Sequence, residues 1–122
     1  MDILIIDDDQ ALRGTLSRTL ERVGYSVATA DCGLAGFAAL RNEMPRAIVC
    51  DIRMPFLDGV GFYKELRDTY PELSQRVVFV TSFADDAGVR SFLDKEGLPV
   101  VSKPFELDDL LAAVATVAPP PA

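Results

Sequence analysis

Five residues with reactive or metal-binding side chains stand directly after short, mainly apolar runs of the sequence. They are Asp7, Asp8, Asp51, Thr81 and Lys103, and the runs before them are residues 3–6, 47–50, 77–80 and 100–102. Such runs are typical of buried strands. In an open parallel α/β sheet, ligands bind in the crevice at the carboxyl ends of the strands. We therefore expect these side chains, which are far apart along the chain, to meet in one place.

These side chains suit a divalent cation and a phosphoryl group. Mg²⁺ prefers oxygen ligands in octahedral geometry and keeps several waters, so Asp7, Asp8 and Asp51 with water would form a suitable ligand set. A carboxylate can also attack phosphorus as a nucleophile. Phosphoryl transfer then requires mainly positioning and neutralisation of the phosphoryl oxygens. The cation and Lys103 would each bind one oxygen, and the Thr81 hydroxyl or nearby backbone N–H groups would bind the third. The set predicts a site where one carboxylate becomes an aspartyl phosphate.

The apolar pattern predicts five strands that alternate with five helices. The strands are expected at residues 2–6, 25–30, 47–51, 76–81 and 99–102, and the helices at 10–23, 33–43, 60–69, 85–96 and 107–117. Strands that alternate with helices indicate βαβ units and a parallel sheet. The first, third and fourth strands are nearly all apolar, as expected when helices cover both faces. We therefore predict an α/β protein with a doubly wound, five-stranded parallel sheet.

Local signals mark the ends of these elements and their buried faces. Asp9 is a candidate N-cap of the first helix, and Gly24 is its stop. Cys50 lies inside an apolar strand and is expected to point into the core as a small apolar residue. The residues expected on buried helix faces are Leu12, Leu16 and Leu20 in the first helix, Val89, Phe92 and Leu93 in the fourth, and Leu107, Leu110, Leu111, Val114 and Val117 in the fifth.

The composition limits the class of protein. A chain of 122 residues fits one domain, which we place at residues 1–118, with 119–122 as a Pro-rich tail or the remnant of a linker. A net charge of −7 without a basic stripe argues against direct binding of nucleic acid. No apolar run approaches the ~20 residues that cross a bilayer, and no signal peptide is recognisable. We therefore expect a cytoplasmic protein without membrane association.

The order of these motifs resembles the receiver domain of two-component response regulators. The matching motifs are Asp7-Asp8, Asp51 with Met54-Pro55 and Asp58-Gly59, Thr81-Ser82, and Lys103-Pro104-Phe105. A lone Asp-Asp pair is weak support, but four anchors in order, each at a strand end, are specific. The resemblance covers essentially the whole chain. It implies the flavodoxin-like (βα)5 fold with strand order 2-1-3-4-5.

The resemblance also implies roles for the site residues. Asp51 would be the phosphoacceptor. Asp7, Asp8 and Asp51 would hold Mg²⁺ together with the backbone carbonyl of Arg53. Thr81 and Lys103 would bind the phosphoryl oxygens. In this family the bond between that Lys and the following Pro is usually cis, so the same geometry is expected at the Lys103–Pro104 bond.

The partners implied are those of a phosphorelay. The donor would be a sensor histidine kinase or a histidine phosphotransfer domain, for which the outer face of the first helix, with Arg13 and Arg18, is a docking candidate. Phosphorylation would alter the face of the fourth helix, fifth strand and fifth helix toward a downstream partner or attached domain. Such a protein is not an enzyme with a substrate of its own, because it catalyses only its own phosphorylation and dephosphorylation.

Val100 departs from the family pattern. Many receivers have Tyr or Phe at this position, three residues before the Lys, and that ring turns inward when the Thr moves. Phe105 and Phe83 are other aromatic residues that could respond, but neither occupies the matching position. Val100 and the short connection of residues 97–99 resemble receivers attached to hybrid sensor kinases, and a stand-alone receiver is the other option. A receiver-like interaction module that works without phosphorylation is the alternative function.

Two rivals fit the sequence less well. A haloacid-dehalogenase-like phosphatase also forms an aspartyl phosphate, but it needs a second Asp two residues after the nucleophile, where this chain has Arg53. A flavodoxin-type cofactor binder needs a phosphate-binding loop after the first strand. In this chain the three carboxylates of residues 7–9 would repel the phosphate of FMN.

Arg53 lies two residues after Asp51, and Phe83 lies two residues after Thr81. In this family the residues at these two positions often set the lifetime of the phosphoryl group. Both side chains are large, and we expect them to hinder the attacking water. The double variant Arg53→Ala/Phe83→Ala should lose its phosphoryl group faster than the wild type. Hydrolysis rates of the two phosphorylated proteins test this, and an unchanged rate would contradict it.

Overall fold

The protein forms an open sheet of five parallel strands with helices on both faces. The computed structural model describes residues 1–52, 59–82 and 87–121. The strands are β1 (Ile3–Ile6), β2 (Val27–Ala30), β3 (Ala47–Asp51), β4 (Val77–Thr81) and β5 (Val100–Ser102). The helices are α1 (Gln10–Arg22), α2 (Gly33–Asn42), α3 (Gly59–Thr69), α4 (Ala87–Glu96) and α5 (Leu107–Val117), with a 3₁₀ turn at Leu73–Gln75.

The sheet has the predicted topology. All neighbouring strands are parallel, and their order is β2-β1-β3-β4-β5. The flavodoxin-like fold is therefore confirmed. This order places β3 between β1 and β4, so that Asp51 at the end of β3 has neighbours from both adjacent strands.

Alternating strand residues build two separate cores, one on each face of the sheet. Ile3 and Ile5 of β1 join the core under α1 and α5, whereas Leu4 and Ile6 join the core under α2, α3 and α4. This alternation follows from the two-residue period of a strand. The strands β1, β3 and β4 are buried along their whole lengths, because helices cover both of their faces.

Several local predictions are confirmed. The side chain of Asp9 accepts a hydrogen bond from the backbone N–H of Leu12 and caps α1. Gly24, which follows α1, has a φ of 102°, a left-handed conformation that glycine adopts readily. Cys50 is fully buried. The Lys103–Pro104 peptide bond is cis, as the resemblance implied.

The start of β2 differs from the prediction. Residues 25 and 26 were expected in the strand, but β2 begins at Val27. The backbone N–H of Tyr25 donates to the carbonyl of Leu20 at the end of α1, so it is not available to a strand ladder. The buried Tyr25 ring extends to the other end of the chain, where its hydroxyl donates to the carbonyl of Ala118.

One predicted core residue is wrong. Leu107 is 40% exposed, although it shares a helix face with the buried Leu110 and Val114. It is the first residue of α5, and the buried cluster on that face of the sheet begins one turn later, at Leu110. The remaining boundaries of the described elements agree with the predictions within one residue, except that residues 85 and 86, predicted to begin the fourth helix, lie outside the described part.

No helix within residues 1–52, 59–82 and 87–121 is long and apolar enough to cross a membrane.

Candidate functional site

Three aspartates meet at the carboxyl ends of β1 and β3. One carboxylate oxygen from each of Asp7, Asp8 and Asp51 lies within 4.8 Å of the other two. Asp7 is 2% exposed and Asp51 is 6% exposed, whereas Asp8 is open to solvent. The strand order causes this convergence, because β1 and β3 are hydrogen-bonded neighbours whose ends lie side by side. The site therefore combines two buried carboxylates with one exposed carboxylate, and we call this group of three aspartates the acidic pocket.

Lys103, which follows the edge strand β5, adds a positive charge to this pocket. Its Nζ atom lies 3.3 Å from an Asp51 carboxylate oxygen and 3.4 Å from one of Asp7. Its backbone N–H donates to the carbonyl of Thr81 at 2.8 Å, which extends the pairing of β4 with β5 past the end of β5. The ladder thus determines where Lys103 leaves the sheet, and its side chain spans the gap to the aspartates.

The pKa of Lys103 is raised above its ordinary value of 10.5. Burial is the largest single influence and lowers the pKa, because it removes water from the ammonium group. The negative charges of Asp51 and Asp7, together with the hydrogen bonds that they accept, raise the pKa by more. Lys103 is therefore held in its charged form by the two carboxylates.

Thr81 ends β4 next to this pair. Its side chain is fully buried, and its backbone pairs with Ser102 of β5. In the sheet Asp51 pairs with Val80 of β4. Thr81 is the next residue of β4, so it lies one residue closer than Val80 to the carboxyl end of that strand. The structure thus places all four strand-end anchors at one edge of the sheet.

The loop after β1 is supported by two contacts. A carboxylate oxygen of Asp7 accepts from the backbone N–H of Asp9 at 2.9 Å. The guanidinium of Arg13 donates to the backbone carbonyl of Asp7 at 2.6 Å. Sequence reasoning placed Arg13 on a docking face and missed this contact. The sequence did contain a signal for this contact, because Arg13 lies one helical turn after the Asp9 cap. Long side chains in a helix point back toward its N-terminus, and here that direction leads to the loop.

Gly59 is the second feature that sequence reasoning missed. The third helix was predicted to begin at residue 60, and it begins one residue earlier, at Gly59. Its N–H donates to the carbonyl of Ile52 at 2.8 Å. A Cβ atom added to Gly59 would lie 2.6 Å from both the carbonyl oxygen of Asp51 and the Cα atom of Ile52. The start of α3 therefore contacts the backbone of the central aspartate at a distance that only glycine allows.

Some predicted site residues fall outside the described part of the chain. These are Arg53, Met54, Pro55, Asp58 and Phe83. The proposed roles of the Arg53 carbonyl as a metal ligand and of Arg53 and Phe83 as shields against water therefore stay predictions. Phe105 is described, and it packs against the core under α1 and α5.

The described atoms fit a hard divalent cation. They provide carboxylate oxygens, the ligands that Mg²⁺ prefers, and the exposed Asp8 leaves a side where ligand water can remain. A nearby ammonium group and a buried hydroxyl add partners for an anion. This combination of a cation site and anion partners around a carboxylate suits phosphoryl chemistry.

A comparison with known protein families decides the assignment. The family model described as "Response regulator receiver domain" matches residues 3–115 of this chain. The chain belongs to the response regulator receiver family. The family predicted from the sequence motifs is thereby confirmed.

Individual relatives agree with the assignment of a receiver domain. The chain is 38% identical over 111 residues to the response regulator MprA of Mycobacterium sp. (strain KMS), covering 90% of this chain and 47% of that protein. It resembles the chemotaxis protein CheY4 of Vibrio cholerae with a TM-score of 0.83 and 25% identity, covering 95% of this chain and 97% of that one. It also resembles a CheY-like receiver domain protein of Methanospirillum hungatei with a TM-score of 0.85 and 28% identity, covering 94% of this chain and 90% of that one. The chain spans about half the length of the curated relatives it matches.

Replacing Lys103 by Met should destabilise the receiver domain in a pH-dependent way. A raised pKa means that the ammonium stabilises the fold fully below pH 10.5, and that this contribution is lost as the pH rises through the higher folded value. The difference in unfolding free energy between the wild type and Lys103→Met should therefore shrink as the pH rises above 10.5. Denaturant unfolding of both proteins measures it, with Lys64→Met as the exposed-lysine control. A difference that stays constant as the pH rises would contradict the prediction.

Replacing Gly59 by Ala should destabilise the receiver domain by roughly 1–3 kcal/mol, because the new methyl group would overlap backbone atoms that cannot turn away. Gly14→Ala is the matched control. The atoms nearest to its Cβ would belong to the guanidinium of Arg18, at the end of a flexible side chain and 3.3 Å away. Alanine in a helix interior is favoured over glycine by up to ~1 kcal/mol. Urea unfolding should move the two variants in opposite directions from the wild type. A Gly59→Ala variant as stable as the wild type would show that the start of α3 can shift away from Asp51.

Proposed function

We propose that this receiver domain is a phosphoacceptor switch in which Asp51 accepts a phosphoryl group from a partner's phosphohistidine. The donor is a sensor histidine kinase or a histidine phosphotransfer domain in the cytoplasm. The observation that carries the proposal is the position of the Asp51 carboxylate, 3.3 Å from the Lys103 ammonium and beside the carboxylates of Asp7 and Asp8. Family membership supports it.

The covalent step is a transfer between two residues. A carboxylate oxygen of Asp51 forms a bond to phosphorus while the bond from phosphorus to the partner's imidazole nitrogen breaks, and the electron pair of that bond remains on the nitrogen. Mg²⁺, held by Asp7, Asp8, Asp51 and the carbonyl of Arg53, would neutralise negative charge on the phosphoryl oxygens. The remaining requirement is positioning, which the rigid strand end supplies for Asp51.

Lys103 and Thr81 serve the phosphorylated state. The Lys103 ammonium already lies beside the Asp51 carboxylate, so a phosphoryl oxygen added there comes within its reach. Charge-assisted hydrogen bonds of this kind are roughly twice as strong as neutral ones. The Thr81 hydroxyl, at the end of the adjacent strand, is the donor for a second phosphoryl oxygen.

The new contacts would bias the region that follows β4 and β5. The face made of α4, β5 and α5 carries two exposed apolar side chains, Val100 at 37% and Leu107 at 40% exposure. A phosphoryl group can shift an equilibrium only as far as it interacts differently with the two states, and the contacts of Thr81 and Lys103 provide that difference. We assign this face to a downstream partner or attached domain, and no direct contact with nucleic acid is proposed for the receiver.

Contacts near residue 118 support a proposal for the extent of the domain. We propose that residues 1–118 form the receiver and that 119–122 begin a tail or linker. Ala118 is buried and accepts a hydrogen bond from Tyr25. The carbonyl of Pro119 accepts from the Arg46 guanidinium at 2.7 Å, so the first tail residue is still attached to the domain. The valine at position 100 favours a receiver attached to a hybrid sensor kinase, and a stand-alone receiver is the other option.

Incubation with acetyl phosphate and Mg²⁺ should add one phosphoryl group to the wild type, detected by intact mass. Asp51→Asn, which keeps the shape but removes the nucleophilic carboxylate, should gain none. Chelation of Mg²⁺ with EDTA should prevent the gain in the wild type. If the wild type also gains no mass from a phosphorylated histidine phosphotransfer domain, the phosphoacceptor proposal fails, and the interaction module that works without phosphorylation replaces it.

A further inference from the structure

A groove between α3 and α4 is separate from the acidic pocket and from the face of α4, β5 and α5. It is an open cleft of about 430 Å³, which we call the α3–α4 groove. The residues that matter here are Val60, Lys64 and Arg67 from α3, and Phe92, Lys95 and Glu96 from α4. We propose that this groove binds a short acidic peptide segment of a partner protein, anchored by one apolar side chain.

The charge of the groove is opposite to that of the domain. Three of its lining residues are basic and one is acidic, whereas the whole chain has a net charge of −7. Arg67 and Glu96 are bonded to each other across the two helices at 3.0 Å, and the Glu96 side chain is only 14% exposed. Within the described residues neither Lys64 nor Lys95 forms an ion pair, and both are exposed. The groove therefore offers two free ammonium groups beside a fixed ion pair.

The floor of the groove is apolar and firmly held. Phe92 is partly buried, and its ring meets Tyr63 and Phe79 edge to face at centroid distances of 5.6 and 5.5 Å. These contacts fix the ring through the core, and its remaining surface lines the groove with the partly exposed Val60. An apolar side chain entering between the helices would meet a rigid surface and would lose contact with water.

This combination favours an acidic peptide over other anions. A nucleic acid would approach a domain with a net charge of −7 and find only a small basic area, too small for the phosphate contacts that give such binding its affinity. A small free anion would make no use of the apolar floor. A peptide with acidic residues on both sides of one apolar residue meets Lys64 and Lys95 and covers Phe92 at the same time. Two adjacent helices with an apolar groove are a common receptor for such segments.

The proposal goes beyond the phosphoacceptor function and does not rest on it. Apart from Ile52, the described residues that line the groove lie on α3 and α4, and none of the acidic pocket's side chains is among them. Binding of a peptide there can therefore be measured on the unphosphorylated chain, and on Asp51→Asn. Failure of one proposal leaves the other untouched.

A phage-displayed library of random twelve-residue peptides, panned against the 122-residue chain, supplies the probe. The expected result is an enriched consensus with several acidic residues around one apolar residue. A fluorescent synthetic peptide of that consensus should bind Lys64→Glu/Lys95→Glu at least roughly tenfold more weakly than the wild type, because two attractive contacts become repulsive. The matched variant Arg22→Glu/Arg41→Glu changes the net charge by the same amount outside the groove and should bind like the wild type.

Three results would overturn the proposal. The first is a library that yields no acidic consensus. The second is equal loss of binding in the groove variant and the matched variant, which would show only the effect of net charge. The third is equal binding of a scrambled peptide or of an oligonucleotide of similar charge, which would indicate a general attraction for anions. Thermal melts of both double variants confirm that they are folded before binding is compared.

Discussion

The structure depends on the balance between three carboxylates and one ammonium group at the edge of the sheet. Asp7 and Asp51 are almost fully buried, and a buried carboxylate without a partner is strongly destabilising. Within the described residues, Lys103 forms an ion pair with both. The balance is incomplete, because the exposed Asp8 adds a third negative charge in the same place. The site therefore keeps a net negative charge, which would attract a cation.

The rest of the fold holds these groups at fixed distances. The ladder between β4 and β5 positions Lys103, and the ladder between β1 and β3 positions Asp7 and Asp51. Gly59 lets α3 start against the backbone of Asp51. Because both faces of the central strands are covered by packed cores, the strand ends cannot move independently. Within the described residues, movement during the chemistry is therefore left mainly to the side chains.

The helix α4 lies between two surfaces to which we assign different partners. One side belongs to the face with β5 and α5, where exposed apolar side chains stand on a domain with a net charge of −7. The other side lines the basic α3–α4 groove. The two surfaces differ, because one exposes apolar side chains and the other is mainly basic, and this difference is a physical basis for selectivity between partners. The pairing of Phe92 with Phe79 of β4 connects α4 to the strand that ends in Thr81.

The sequence by itself determined the fold class, the family and the identity of the strand-end residues. The sequence was sufficient for this because apolar periodicity is local, and because each anchor lies at or just after the end of a strand whose composition identifies it. The bounds of β3 and α5 could be predicted to the residue for the same reason. The order in which the strands pair is not local, and the sequence indicated it only through the resemblance to a known family.

Only the tertiary structure decided features that depend on contacts between distant segments. The backbone of Tyr25 bonds to α1 and its hydroxyl to Ala118, so a residue with strand-like character lies outside β2. Leu107 continues the apolar stripe of α5 but precedes the part of the helix that the core covers. The close approach of Gly59 to Asp51 and the raised pKa of Lys103 likewise arise from neighbours that are not adjacent in the sequence. Burial and charge depend on all surrounding segments at once, whereas periodicity along the chain describes each segment alone.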